Sequence, residues 1–145
     1  MKYPFVKEPG SGLILITVQL DGYEELKMVI DTAASITTID INVLRMIYYP
    51  IGDIIETGQV ETANGIVEVD IIQTKAISAF GHTVRDMKVQ MYDFLKRGVI
   101  SDYDGVLGLD FFKNTEFTID MVNQTIEVKN LYHEQVSGGV MLNSK

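Results

Sequence analysis

The sequence predicts a small all-β domain, closed on itself or orthogonally packed. Short runs of β-branched and large apolar residues recur along it, and turn dipeptides separate them at Asp21-Gly22, Asn64-Gly65 and Gly81-His82. Very little of the chain reads as helix. At 145 residues and 46% hydrophobic content, the chain is one domain able to bury a core without staples.

Met1 to Ser11 reads as a polar lead-in. Leu13 to Leu20 is the first strand, Asp21-Gly22 turns it, and Leu26 to Asp31 returns. Ile36 to Thr38 is a short strand. Asp40 is a good N-cap for one or two helical turns in which Ile41, Leu44 and Ile47 share a face, and Pro50 stops them. Ile54 to Val69 forms a long-armed hairpin around Asn64-Gly65. Ile71 to Phe80 and Thr83 to Met91 form a third hairpin across Gly81-His82, which puts His82 on a solvated turn. Tyr92 to Tyr103 is a polar loop. Asp104 to Phe112 is a short apolar strand running into a turn of helix, with Asp104 as a solvated loop residue and Asp110 as the helix-start residue. Glu116 to Met121 and Thr125 to Val128 make the last hairpin, around Val122-Asn123-Gln124. The expected division is a lead-in over 1–12, a domain over 13–131 and a polar tail over 132–145.

Charge and composition exclude several classes. A net charge of −8, from 12 basic against 20 acidic residues, argues against nucleic acid or anionic lipid as the main partner. The chain has no cysteine, and its two histidines, His82 and His133, are scattered, so neither a metal nor another cofactor is expected. Leu13 to Leu20 is too short to span a bilayer, and the first twelve residues lack the pattern of a secretion signal. A cytoplasmic chain with no membrane partner is therefore expected.

The chemistry centres on Asp31. Met28-Val29-Ile30 is an apolar strand end that delivers a carboxylate, then Thr32 and the small residues Ala33 and Ala34. A carboxylate there must be hydrogen-bonded or do chemistry. By itself the stretch is also compatible with Asp31 capping a turn that Thr32 supports.

Three segments, in order, resemble one family. Met28-Val29-Ile30-Asp31-Thr32-Ala33-Ala34-Ser35 is similar to the Asp-Thr/Ser-Gly-Ala/Ser signature of retropepsin-like aspartic proteases. Val60-Glu61-Thr62-Ala63-Asn64-Gly65 resembles the flap of their bacterial single-domain members, and Gly105-Val106-Leu107-Gly108-Leu109-Asp110-Phe111-Phe112 resembles the second landmark of the family. The likeness covers about residues 13 to 130. It implies a small acid-protease-type barrel of hairpins with one or two short helices, half of a pepsin-like bilobed architecture.

The resemblance implies an aspartic endopeptidase. Two carboxylates about 3 Å apart share one proton; one activates water while the other hydrogen-bonds the peptide carbonyl. The chain offers a single such loop, so a homodimer must place Asp31 beside its own copy. Thr32, Ala33 and Ala34 then support the catalytic loop, with the Thr32 hydroxyl reaching across the two-fold axis or capping its own turn. Val106, Leu107 and Gly108 pack beside that loop. Thr62, Ala63, Asn64 and Gly65 form a flap over a peptide or protein substrate held as an added strand. Ile36, Ile66, Val106 and Leu107 are candidates for side-chain pockets or for simple core. One position departs from the pattern: Ala33 stands where glycine is usual, which keeps the N–H, adds a methyl group and restricts positive φ. The alternative is therefore a catalytically silent dimerisation or peptide-binding module on the same fold. A third reading is a domain cut from a larger polyprotein or membrane-anchored protease, suggested by the polar ends.

Overall fold

A computed structural model describes residues 1–51, 56–62, 65–96, 98 and 102–131. The strands are β1 (Lys2–Pro4), β2 (Val6–Lys7), β3 (Ile14–Leu20), β4 (Glu24–Ile30), β5 (Thr38–Asp40), β6 (Glu56–Thr62), β7 (Gly65–Gln73), β8 (Ala76–Ala79), β9 (His82–Arg85), β10 (Lys88–Tyr92), β11 (Gly105–Leu107), β12 (Thr115–Asp120) and β13 (Thr125–Asn130). One helix, α1 (Ile41–Met46), follows β5, and a 3-10 turn (Leu109–Phe112) follows β11. No helix among the described residues is long and apolar enough to cross a membrane.

Turn chemistry sets the hairpins. Asp21 and Gly22 both have positive φ, and the Tyr23 N–H closes the β3–β4 turn on the Leu20 carbonyl. Asp40 caps α1 by accepting from the Asn42 N–H. The helix ends at Ile47 as Tyr48 enters positive φ, two residues before Pro50.

The main sheet runs β6-β7-β10-β5-β11-β4-β3-β8-β9, with β2 on the same edge of β3 as β8. The all-β architecture is the one expected, but no pair among the described residues joins β6 to β9, so the sheet is open rather than a closed barrel. Two parallel pairings, β10 with β5 and β11 with β4, give the sheet a centre that no hairpin could make. The core fills behind them with Leu20, Met28, Ile39, Val89, Leu107 and Phe111, all fully buried.

Several local expectations change. The third hairpin is broken: β8 and β9 turn at Phe80-Gly81, and the chain kinks at Thr74-Lys75 and again at Asp86-Met87. The short strand expected over Ile36 to Thr38 lies at Thr38–Asp40 instead. The lead-in is also structured. β1 pairs with β13, β2 pairs with β3, and Phe5 between them is buried. β1, β13 and β12 form a second, three-stranded sheet, which stacks Phe117 on Phe112 at a ring separation of 4.1 Å. The expected tail over 132–145 lies outside the described residues.

Candidate active site

β4 buries Met28, Val29 and Ile30, and the next residue, Asp31, is exposed. β11 lies between β4 and β5, pairing Leu107 with Ile30 and Val106 with Thr38. The Asp31 loop is therefore held from both sides. The Asp31 N–H donates to the Leu107 carbonyl at 3.1 Å, and the Leu109 N–H donates to the Ala34 carbonyl at 2.8 Å. The Ala33 N–H donates to Asp31 Oδ1 at 2.9 Å, and the Ala34 N–H to the Asp31 carbonyl at 3.1 Å. The carboxylate thus sits on a strand end with one oxygen oriented by backbone.

A second set of bonds closes the far end of the loop. Thr37, fully buried, donates its N–H to Asp110 Oδ2 at 2.9 Å and its hydroxyl to Asp110 Oδ1 at 2.7 Å. The same hydroxyl accepts from the Gly108 N–H at 3.0 Å. Asp110 does lie in the first turn of the 3-10 segment, but its carboxylate serves Thr37 rather than the turn. A buried N–H and hydroxyl need acceptors, and a carboxylate offers two oxygens at once. The sequence carries a faint signal for this pair: a threonine six residues after Asp31 and an acid two after Gly108. Gly108 is required by space, since a Cβ there would lie 2.8 Å from the Ala34 carbonyl oxygen and 2.9 Å from the Ile36 carbonyl carbon.

Asp104 is not a solvated loop residue. Its carboxylate accepts from the Lys27 N–H at 2.8 Å, its own N–H donates to the Lys27 carbonyl, and its carbonyl accepts from the Asp40 N–H. It clamps β4 to β5 just ahead of β11. His82 is not on a solvated turn either: it opens β9 and is buried. Its Nε2 pairs with the Phe111 carbonyl at 2.9 Å, its Nδ1 lies 3.3 Å from Asn130 Nδ2, and its ring packs edge-on against Phe111. Burial holds its pKa below the ordinary histidine value, partly opposed by the Phe111 carbonyl.

The structure brings Asp31, Ala33, Ala34, Leu107 and Gly108 together. Thr32 is exposed, and its hydroxyl has no hydrogen bond among the described residues; Asp31, not Thr32, caps the turn. Ala33 does not adopt positive φ, so the departure from glycine carries no backbone strain. Leu107 is core rather than pocket wall, Val106 is half-buried, and Ile36 and Ile66 are exposed. The β6–β7 hairpin is in register from Glu56–Ile71 to Thr62–Gly65 and joins the sheet through β10. Its expected tip residues Ala63 and Asn64 lie outside the described residues. No group of three or more His, Asp or Glu among the described residues could hold a metal ion.

Residues 16–114 match the family described as "gag-polyprotein putative aspartyl protease". The chain belongs to that family. No curated protein sequence matches it. Among solved structures, the retropepsin-like aspartic protease from Rickettsia conorii is similar with a TM-score of 0.64 at 17% identity, over 89% of this chain and 91% of that one. The EIAV protease, solved in complex with the inhibitor HBY-793, is similar with a TM-score of 0.51 at 15% identity, over 74% of this chain and 92% of that one. The fold of this aspartyl-protease family member is thus retropepsin-like. In it the Asp31 loop and the β11 landmark occupy adjacent parallel strands.

Proposed function

We propose that the protein is an aspartic endopeptidase that acts as a homodimer, with two Asp31 carboxylates sharing a proton and activating water. Asp31 is the catalytic residue of this reading. Thr32, Ala33 and Ala34 support its loop, Val106, Leu107 and Gly108 buttress it, and the hairpin tip at Thr62, Ala63, Asn64 and Gly65 closes over the substrate. The domain over 13–131 carries the site.

The observation that carries this reading is the bond from the Ala33 N–H to Asp31 Oδ1 at 2.9 Å on a loop bolted to β11. The backbone orients one carboxylate oxygen, and the exposed carboxylate remains able to face a partner. One such loop per chain and a two-carboxylate reaction call for two chains. The same bond favours an active enzyme over a silent binding module, because alanine at position 33 retains the N–H that the loop uses.

The test is digestion of a peptide library across acidic to neutral pH by the wild type and by Asp31→Asn. Cleavage by the wild type with an acidic or mildly acidic optimum, lost in the variant, is expected. Peptide binding without cleavage at any pH would leave the silent module.

A further inference from the structure

Beside the Asp31 loop lies a cleft of about 480 Å³ lined by Ile36, Ile71, Val84, Met87, Asp86 and Asp110, and by the cations Arg85, Lys88 and Lys113. It draws on three parts of the proposed machinery: Ile36 ends the Asp31 loop, Asp110 holds Thr37, and Ile71 belongs to the long hairpin.

Its charge runs against the rest of the chain. The protein carries −8 overall, yet three of its 12 basic residues converge here. Two acids face them, so three cations stand against Asp86 and Asp110; Asp110 is drawn towards Thr37, which donates to each of its oxygens, and Asp86 makes no such side-chain bond among the described residues. Among the described residues, neither Arg85 nor Lys113 is in an ion pair. The walls between the cations are apolar, from Ile36, Ile71, Val84 and Met87. Apolar walls with cations around them fit an amphipathic anion better than a bare one. A glutamate side chain matches: its methylenes cover the apolar wall and its carboxylate reaches the guanidinium or ammonium. Aspartate has a shorter stem, and an inorganic anion has none.

We infer that this cleft is a specificity subsite that selects a glutamate, at some distance from the bond cut, in the peptide substrate. The inference rests on the protease reading and deepens it. A two-fold dimer carries one cleft per protomer, so the preference falls on both sides of the scissile bond. Arg85 and Lys113 are the residues that set it.

The test uses pools of labelled decapeptides with Glu, Asp, Gln or Ala fixed at one position at a time. Wild type and the double variant Arg85→Gln/Lys113→Gln are compared, with thermal melts confirming that both are folded. In wild type, Glu is expected to exceed Gln roughly fivefold in kcat/KM at one distal position on each side, with Asp between them. In the double variant the Glu-to-Gln ratio falls towards one, and Arg85→Lys keeps most of it. An equal ratio in the two proteins, or no acidic preference in wild type, overturns the subsite. If nothing is cleaved, anisotropy of the same labelled pools on the wild type decides separately. Glu-dependent binding lost in the double variant supports the subsite while proteolysis fails, and equal binding of Glu and Gln pools overturns it.

Discussion

Asp110 accepts both the N–H and the hydroxyl of Thr37, at 2.9 and 2.7 Å, and so ties the end of the Asp31 loop to the turn that follows β11. Thr37 is fully buried, so no water replaces that carboxylate. Asp110→Ala is expected to destabilise the protein by about 2–3 kcal/mol, because it strands a buried donor pair. Asp110→Asn keeps one acceptor oxygen and is expected to lose about 1 kcal/mol. Urea unfolding of the three proteins checks this, and peptide cleavage should fall in the same order.

Gly108 gives a second prediction from close approach. A methyl group there meets the backbone of Ala34 and Ile36 at 2.8–3.0 Å, and backbone cannot swing aside as a side chain can. Gly108→Ala is expected to destabilise by about 1–3 kcal/mol and to lower cleavage further by shifting the Asp31 loop. Gly58→Ala is the control, since its methyl would meet only side-chain tips at 3.4 Å or more. It should stay within about 0.5 kcal/mol of wild type.

Ala33 has no positive φ and retains the N–H that bonds Asp31. Ala33→Gly is therefore expected to change kcat/KM by no more than about threefold, while slightly loosening the chain. A gain of tenfold or more would show that the methyl group obstructs the dimer or the substrate.

His82 makes stability depend on pH. Burial depresses its folded pKa, so the unfolded chain binds the proton more readily. The stability that neutral His82 provides is complete above the ordinary histidine pKa of about 6.5 and is lost as pH falls through the lower folded value. Protonating Nδ1 also sets a new donor against Asn130 Nδ2. The wild-type melting temperature should drop between pH 7 and pH 5 by more than that of His82→Gln. Parallel curves would contradict this role. On the proposed protease reading, the expected drop pairs an acidic optimum for the chemistry with a fold that weakens in acid.

What the sequence made legible was local. Asp21-Gly22 and the Asp40 cap are turn and helix signals carried by neighbouring residues, and each forms as expected. The Asp31 and Gly108 segments were recognisable because each is a contiguous run. Long-range partners were not legible. Tyr3 and Phe5 alternate as strand residues do, but only the distant β13 gives β1 a mate, and the short polar context hid the pattern. His82 looked solvated because it follows Gly81, and it is covered by Phe111 and Asn130, far along the chain. Asp104 and Asp110 looked like ordinary loop and cap residues because their partners, Lys27 and Thr37, are more than seventy positions away. The open sheet edge follows from β6 and β9 each pairing on one side among the described residues, which strand counting cannot foresee.

The central claim is that one catalytic centre needs Asp31 from two chains. Mixing wild type with Asp31→Asn at equal amounts, after full subunit exchange, measures it most directly. If both carboxylates are required, activity per total protein should fall to about one quarter of the pure wild type, the statistical share of fully wild-type dimers. A fall to one half would mean that each chain works alone, and the shared centre would be refuted.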